Sequence, residues 1–271
     1  MKKKRAIFVI VLVLVSLFLS GIFHKQEIPQ SAVDSVVKII AYHADGEMDI
    51  GSGFVFNYTG SEILIATCEH VVADKPEETA VFIDGGENGE KFDRFTAKVV
   101  CTSQEDDVAV ISIEDNLNLQ PLPLTEAGLC SVVYAIGYPF STTNQNAVYY
   151  DENTGKAATI GRIIAFAGGM FRDTGKIIHS AGGAHGASGG ALVNWKGEAV
   201  GIVAFEITHP VKAYGAVSAR ELQKICDEAG IGYTHHVSTR LVRDGVAGML
   251  ALVLLILVIP DDKKSKQREE N

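Results

Sequence analysis

One serine of this chain lies among residues that have almost no side chain, in the run Gly186-Ala187-Ser188-Gly189-Gly190. Glycines let the backbone bend so that successive N–H groups point inward, and they leave room for an incoming carbonyl carbon. A tight turn that only happens to contain a serine has the same composition. The run therefore suggests a nucleophile but does not by itself separate it from a turn.

A histidine and an aspartate upstream complete a possible nucleophilic group. His70 follows the hydrophobic segment 63–67, and Asp107 comes directly before the hydrophobic segment 108–113. A histidine can take the proton from a serine hydroxyl, and a carboxylate can hold the imidazole in the required tautomer. Because each residue lies at the edge of a β-type segment, the sequence predicts a catalytic group of His70, Asp107 and Ser188.

Three further segments strengthen this interpretation, and they lie in the order Ala135–Phe140, Thr159–Ile164 and Lys196–Ile202. Together with the histidine, aspartate and serine segments they resemble the trypsin-like serine peptidases, in particular the bacterial HtrA (Deg) branch. The resemblance covers about residues 31–229. It implies peptide-bond hydrolysis through an acyl-enzyme, with protein or peptide substrates and no cofactor or metal.

The resemblance also implies roles for individual residues. The backbone N–H groups of Gly186 and Ser188 would form the oxyanion hole, and Asp107 rather than its neighbour Asp106 would orient the histidine. We expect alternation along the strand to turn Asp106 away from the cleft. Ala187 departs from the pattern, because relatives carry an aspartate or asparagine there that braces the loop.

The specificity pocket is predicted at Gly182, Val203 and Ala204, since the base of the pocket lies six residues before the serine in the relatives. No aspartate stands there, so the sequence favours a small or medium apolar substrate side chain over lysine or arginine. We expect three other histidines, His179, His185 and His209, to be solvated loop or wall residues.

Short β-rich segments separated by polar or glycine-containing turns indicate an all-β fold. Six of them lie within residues 31–115 and six within 129–218, with the proline-containing segment 114–129 between the two sets. The predicted strands are 36–42, 51–56, 63–67, 80–83, 96–101 and 108–113 in the first set, and 132–137, 158–166, 176–179, 190–194, 199–207 and 214–217 in the second. The sequence thus predicts two antiparallel six-stranded β-barrels of the chymotrypsin-like kind, with the histidine and the serine on opposite barrels. Ser218 and Glu221 form a capping box that predicts a C-terminal helix ending near Gly230, within a peptidase domain 31–230.

Charge and cysteine content exclude some other functions. The formal net charge is −9; residues 1–5 carry +4 and residues 261–271 sum to zero, which leaves −13 for the remainder. Such an acidic chain without a basic stripe is a poor nucleic-acid binder. The four cysteines lack the close pairs of a zinc site, and their spacing leaves both disulfides and buried thiols open.

Apolar segments at both ends predict membrane attachment. Residues 6–23 form an uncharged apolar run behind a basic start, which indicates a signal anchor, or a signal peptide, within residues 1–26. After a linker (231–244), a second apolar run predicts a transmembrane helix at 245–260, followed by a charged cytoplasmic tail (261–271). Lysines and arginines at 2–5 place the N-terminus in the cytoplasm, so the peptidase-like domain is expected on the extracytoplasmic side.

Two other functions remain possible from the sequence. Ala187 leaves open a catalytically weak or inactive peptidase-like binding module anchored to the membrane. The Gly-x-Ser-x-Gly pattern also occurs in α/β-hydrolases, but that fold needs its acid and histidine after the serine and an alternation of strands and helices. The interval from Gly230 to the second apolar run has no room for the PDZ domain that HtrA relatives commonly carry.

Overall fold

Strands rich in β-branched residues close into a first antiparallel barrel. The computed structural model describes residues 27–73, 76–84, 91–115, 117–140, 147–167, 175–208 and 213–237. After a short helix, α1 (Gln30–Asp34), the barrel strands are β1 (Val36–Tyr42), β2 (Met48–Thr59), β3 (Glu62–Thr67), β4 (Glu78–Asp84), β5 (Phe92–Ser103) and β6 (Val108–Glu114). Their order is β1–β2–β3–β6–β5–β4, and β4 pairs with β1 to close the barrel.

A second barrel follows the connection between the two strand sets. The later strands are β7 (Leu124–Thr125), β8 (Val132–Gly137), β9 (Ala147–Tyr150), β10 (Ala157–Phe166), β11 (Lys176–His179), β12 (Ala191–Asn194), β13 (Ala199–Ile207), β14 (Ala213–Ser218) and β15 (His235–His236). Six of them pair in the order β12–β8–β10–β11–β14–β13, and β12 also pairs with β13. The prediction of two six-stranded antiparallel barrels is confirmed.

Short elements were not predicted from the sequence. The strands β7 and β15 have two residues each, too few to show a period, and they pair in parallel with each other. Part of the segment predicted as a linker (231–244) therefore adds a strand to the second sheet through His235 and His236. The helix α1, with five residues, and the strand β9, with four, were also missed.

The predicted C-terminal helix is present as α2 (Ala219–Ala229). The Ser218 side chain accepts a hydrogen bond from the Arg220 N–H, and the helix ends at Gly230 in the left-handed conformation. Its buried face contains Leu222 and Ile225.

The helix α2 packs against β5 and β6 of the first barrel as well as β13 and β14 of the second. An ion pair of 3.0 Å between Lys224 Nζ and Asp106 Oδ2 adds a polar link to the first barrel. The helix α2 therefore contacts both barrels.

The predicted end segments 1–26 and 245–271 lie outside the described residues, as does the second half of 231–244 (residues 238–244). Within the described part of the chain, no helix is long and apolar enough to cross a membrane.

Candidate active site

His70 lies just beyond the end of β3, in a single 3₁₀ turn, Glu69–Val71. Its ring is about half exposed, and Nδ1 lies 2.9 Å and 3.0 Å from the two carboxylate oxygens of Asp107. The backbone N–H of His70 also donates to Asp107 Oδ1 at 3.1 Å. One carboxylate thus binds both the ring and the backbone of the histidine, which fixes the ring orientation.

These contacts shift both pKa values in the direction that favours a charged pair. The hydrogen bond from Asp107 raises the pKa of His70 above its usual 6.5, although burial opposes the change. Burial alone would raise the pKa of Asp107, but the hydrogen bonds from the ring and the backbone of His70 lower it below 3.8. The carboxylate is therefore ionised at neutral pH and stabilises an imidazolium at His70.

Asp107 has an unusual backbone conformation, with φ of 59°. Aspartate tolerates the left-handed region better than most residues, and such outliers concentrate at functional sites. The residue lies in the turn before β6 rather than in the strand. Asp106 lies in the same turn, so alternation along a strand, the expected reason for the direction of Asp106, does not apply.

The neighbouring carboxylate points elsewhere. Asp106 accepts hydrogen bonds from Ser103 Oγ at 2.9 Å and from Lys224 Nζ at 3.0 Å, and its carbonyl accepts one from Lys176 Nζ at 2.8 Å. Burial opposes the effect, but these donors lower the pKa of Asp106. Asp106 thus attaches the turn to helix α2 and to β11.

Two consecutive turns shape the backbone around Ser188. The Ala187 N–H donates to the Ala184 carbonyl at 3.0 Å, and the Gly190 N–H donates to the Ala187 carbonyl at 3.0 Å. The third residue of each turn, Gly186 and Gly189, has a positive φ, 91° and 87°. This combination defines type II turns, which need glycine at that position.

The turn type decides where the Gly186 N–H points. In a planar trans peptide the N–H is opposite the preceding carbonyl. The His185 carbonyl accepts a hydrogen bond from the Phe140 N–H at 2.8 Å, so the Gly186 N–H points away from Phe140. A side chain at Gly186 would also meet the Tyr138 carbonyl oxygen at 2.4 Å, so only glycine fits.

The backbone N–H groups of the serine loop differ in whether they donate a hydrogen bond within the protein. Those of Ala187, Gly189 and Gly190 donate to backbone carbonyls, whereas those of Gly186 and Ser188 donate to no acceptor in the described part of the chain. Two unused N–H groups, that of Ser188 itself and that of the glycine two residues before it, are an arrangement that can bind an oxyanion.

The Ser188 hydroxyl donates to the carbonyl of Ala204 at 3.1 Å. His70 and Ser188 line the same cleft, which has a volume of about 550 Å³. A serine hydroxyl rotates freely about χ1, and catalytic hydrogen bonds often form only when substrate is bound. The geometry thus brings the ring of His70, held by Asp107, and the hydroxyl of Ser188 to one cleft between the barrels.

The cleft contains only part of the predicted specificity pocket. Val203 and Ala204 line it, as expected, together with Gly183 and Tyr214. Gly182 does not line this cleft; its carbonyl accepts a hydrogen bond of 2.6 Å from Thr159 Oγ1. No sequence pattern marks Tyr214, because only the pairing of β14 with β11 and β13 brings it to the cleft.

A smaller apolar cavity of about 150 Å³ lies on the other side of the serine loop. Gly182 and Ala187 line it, together with Ala135 and Ala157. Ala187 is buried there, so a carboxylate at this position would be transferred into an apolar environment. The alanine therefore fits its surroundings, and the loop must be braced by other contacts.

His179 is placed differently from the sequence-based expectation, whereas the cysteines follow one of the two alternatives left open. His179 is fully buried in β11, not solvated, and its ring stacks on that of Tyr214 at 6.2 Å between centroids. Neither ring nitrogen has a hydrogen-bond partner among the described residues. His185 is exposed as predicted, and His209 lies outside the described residues. All four cysteines are free thiols.

The thiol of Cys68 is close to the histidine–aspartate pair. A sulfur, a ring nitrogen and a carboxylate oxygen of Cys68, His70 and Asp107 lie within 4.8 Å of one another. The thiol, however, is buried and 3.4 Å from the Val203 carbonyl, to which it donates, and the ring and carboxylate bind each other. A metal ion here would have to replace the hydrogen bond that orients His70.

Comparisons with known proteins give a consistent result. The sequence matches the family described as the trypsin-like peptidase domain over residues 51–202, more than half of the chain. It is 29% identical over 156 residues to a Haemophilus influenzae protein described as a "probable periplasmic serine protease do/HhoA-like". That match covers 56% of this chain and 30% of the relative, so the chain corresponds to less than a third of the relative's length.

Solved structures with the same fold are also proteases. The serine endoprotease from Yersinia pestis superposes with a TM-score of 0.57 at 26% identity, covering 75% of this chain and 68% of that one. A protease from M. tuberculosis, solved in its active form, also gives a TM-score of 0.57, at 23% identity over 76% and 86% of the two chains. The second likeness concerns the fold alone.

Proposed function

The chain belongs to the trypsin-like peptidase family, and on this premise we propose that it is a serine endopeptidase whose triad is His70, Asp107 and Ser188. The observation that carries the proposal is the double contact of Asp107 with the ring and the backbone of His70, at the cleft that Ser188 also lines. The relatives that the chain matches are proteases of the HtrA type.

In the proposed reaction, the Ser188 hydroxyl leaves the Ala204 carbonyl and turns towards Nε2 of His70. Its oxygen bonds to the substrate carbonyl carbon while His70 takes the proton, and the N–H groups of Gly186 and Ser188 bind the resulting oxyanion. The tetrahedral intermediate then breaks its C–N bond, and His70 protonates the leaving amine. Water attacks the acyl-enzyme by the same route, which releases the acid and restores Ser188.

The lining of the cleft supports a small or medium apolar side chain at the substrate position before the cleaved bond. Ala204 and Val203 provide an apolar wall, and the Tyr214 ring lies near Gly183, at 3.4 Å from the position that a Cβ would occupy there. Cleavage of a mixed peptide library, read by mass spectrometry, tests this preference. Predominant cleavage after lysine or arginine would contradict it.

A fluorophosphonate probe tests the nucleophile directly. We expect the probe to label Ser188, and we expect Ser188→Ala to lose labelling and about a millionfold in peptide hydrolysis. Circular dichroism of the variant serves as the folding control. A wild-type protein that neither reacts with the probe nor cleaves casein would instead support the binding-module alternative. Two features favour that alternative: Ala187, and the hydrogen bond from the Ser188 hydroxyl to the Ala204 carbonyl.

We also propose that both ends of the chain are embedded in a membrane and that the peptidase domain faces the extracytoplasmic side. The support is the apolar runs at 6–23 and 245–259, with positive residues at 2–5, and the periplasmic description of the Haemophilus relative. A cysteine tag near Gly46 should react with an impermeant reagent in intact cells, whereas one after Asn271 should react only after lysis. Labelling of the Asn271 tag in intact cells would refute this topology.

A further inference from the structure

Strand β2 of the first barrel passes directly beneath the serine loop of the second barrel. A side chain at Gly51 would come within 3.0 Å of the Ser188 carbonyl oxygen. In the opposite direction, a side chain at Gly189 would meet the Ser52 carbonyl oxygen at 2.0 Å. The two backbones therefore approach as closely as glycine permits, and Ser52 lies at the point of contact.

Ser52 is fully buried and makes three hydrogen bonds across this contact. Its N–H donates to the Ser188 carbonyl at 2.7 Å, and its hydroxyl donates to the Gly186 carbonyl at 2.7 Å. The same hydroxyl oxygen accepts a hydrogen bond from the Tyr138 N–H at 2.9 Å. One serine from the first barrel thus holds the residue before Ala187, the residue after it, and the end of β8.

We propose that Ser52 is a positioning residue that braces the oxyanion loop from the first barrel, in the place of the side chain that Ala187 lacks. The inference rests on the proposed function, because it assigns the groups that Ser52 holds to oxyanion binding. The methyl group of Ala187 offers no hydrogen bond, whereas the Ser52 hydroxyl holds the carbonyl of Gly186 and the Ser52 N–H holds that of Ser188.

The peptide planes of the loop show why the hydroxyl matters. The His185 carbonyl is held by Phe140 and the Ala187 carbonyl by Gly190. Between them, the carbonyl of Gly186 is held by the Ser52 hydroxyl. Gly186 has a positive φ and no Cβ, so its two flanking peptides rotate at little steric cost unless hydrogen bonds fix them. Loss of the hydroxyl leaves the middle peptide, Gly186–Ala187, held only by the bond from the Ala187 N–H to the Ala184 carbonyl, and so loosens the turn that contains the Gly186 N–H.

The partners of the hydroxyl are buried, so its loss has a second consequence. Without it, the buried Gly186 carbonyl has no donor and the Tyr138 N–H no acceptor at this point, and each buried unpaired group destabilises the native arrangement. In the variant, other conformations of the serine loop that pair these two groups then compete with the conformation described above. The backbone N–H of Ser52 still binds Ser188 after substitution by alanine, so the barrel contact itself persists.

Tyr138 is in turn anchored by a buried ion pair. Its hydroxyl donates to Asp84 Oδ1 at 2.6 Å, and Asp84 Oδ2 lies 2.7 Å from the Nζ of the buried Lys156. The brace at Ser52 is therefore connected, through Tyr138, to an ion pair that links the two barrels.

The test compares Ser52→Ala with Ser35→Ala. Ser35 is also fully buried in the first barrel, and its hydroxyl donates to the carbonyls of Ser31 and Gln120, away from the serine loop. We expect Ser52→Ala to lower kcat by about ten- to a hundredfold, somewhat less than removal of an oxyanion donor itself, with little change in KM. A peptide aldehyde, which binds as a tetrahedral oxyanion, should lose affinity by a similar factor, and Ser35→Ala should show neither effect.

The pH dependence and a conservative variant separate positioning from general destabilisation. The acidic limb of kcat/KM should keep its midpoint in Ser52→Ala, because the contacts of His70 are untouched. Ser52→Cys, which retains a weak donor at the same place, should recover part of kcat, and it provides the same comparison if the alanine variant fails to fold. An unchanged kcat in Ser52→Ala, or an equal loss in Ser35→Ala, would overturn the inference.

Hydrogen exchange distinguishes failure of this inference from failure of the proposed function. Amides of residues 184–190 should exchange faster in Ser52→Ala than in Ser35→Ala, whether or not the protein hydrolyses peptides. If the amides exchange faster in Ser52→Ala and the wild-type protein does not hydrolyse peptides, the peptidase is rejected and the brace is retained. Unchanged exchange would reject the brace even in an active enzyme.

Discussion

At the scale of single residues, the geometry of the site depends on a turn residue with a strained backbone. Asp107 has a positive φ and binds both the Nδ1 and the backbone N–H of His70. The strain is tolerable because aspartate and asparagine are the non-glycine residues that most readily adopt the left-handed region. An asparagine substitution therefore changes the chemistry of the site while keeping its backbone.

Asp107→Asn should fold normally but lose about ten-thousandfold in turnover at neutral pH, because an amide favours the wrong tautomer of His70. The matched control is Asp106→Asn, whose side chain faces Lys224 and Ser103 and should leave turnover nearly unchanged. Steady-state hydrolysis of one peptide substrate by both variants is sufficient. A large loss in Asp106→Asn with an active Asp107→Asn would reverse the two assignments.

The pH dependence of hydrolysis should reflect the contact between the same two residues. Catalysis requires neutral His70, and the Asp107 hydrogen bond raises the pKa of His70. Activity is therefore low in acid and rises with pH, with a midpoint above 6.5 in the kcat/KM profile. In Asp107→Asn the residual activity should rise at a lower pH, because the group that raises the pKa is gone. Identical midpoints in the two proteins would count against the pairing.

At the scale of secondary-structure elements, the strand pair β11–β14 contains a buried histidine opposite an aromatic ring. His179 and Tyr214 are paired residues of the two strands, and burial lowers the pKa of His179 to about 4. The unfolded chain, with a histidine pKa near 6.5, binds the proton more tightly. The contribution of His179 to the free energy of unfolding is therefore fully present above pH 6.5 and is lost as the pH falls from 6.5 to 4.

His179→Phe should remove this acid sensitivity while retaining the stacking on Tyr214. Between pH 7 and pH 5 the wild type should lose on the order of 2 kcal/mol more unfolding free energy than the variant. Urea unfolding at the two pH values gives the comparison, and His43→Phe, at a surface ion pair with Asp49, serves as control. An equal loss in wild type and His179→Phe would assign the acid sensitivity to other groups.

At the scale of the whole molecule, the two barrels are joined by more than their apolar core. Lys156, in the turn before β10 of the second barrel, binds Asp84 at the end of β4 and donates to the Val33 carbonyl in α1 at 3.0 Å. Burial lowers the pKa of Lys156, although Asp84 opposes the shift. Helix α2 adds a second connection by packing on both barrels.

Lys156→Met should destabilise the protein by about 3 kcal/mol, because it leaves Asp84 partly buried without its cation. The double variant Lys156→Met/Asp84→Asn should be more stable than the single one, since it removes the uncompensated charge. Lys98→Met is the control, because Lys98 pairs with Glu114 in an exposed position, where such pairs contribute little. Equal urea midpoints for the two single variants would show that Lys156 does not stabilise the join between the barrels.

The sequence by itself determined the strand pattern and the chemistry available to the site. Alternation and turn residues predicted the strands Val36–Tyr42, Val132–Gly137, Lys176–His179 and Ala199–Ile207 with the bounds that the structure has. The cap at Ser218 and the stop at Gly230 predicted α2, since local hydrogen bonding decides helix ends. These features depend on interactions between residues that are close in the chain, so they can be predicted from one sequence.

Only the tertiary structure decided which groups meet across the chain. The direction of Asp107 follows from a positive φ in a turn, and the burial of His179 follows from the closure of the second barrel. The contact of Ser52 with the serine loop joins positions 134 and 136 residues apart, and no local pattern marks it. The physical reason is that pairing and packing between distant segments set these contacts, so the residues that hold the site are found only once both barrels are in place.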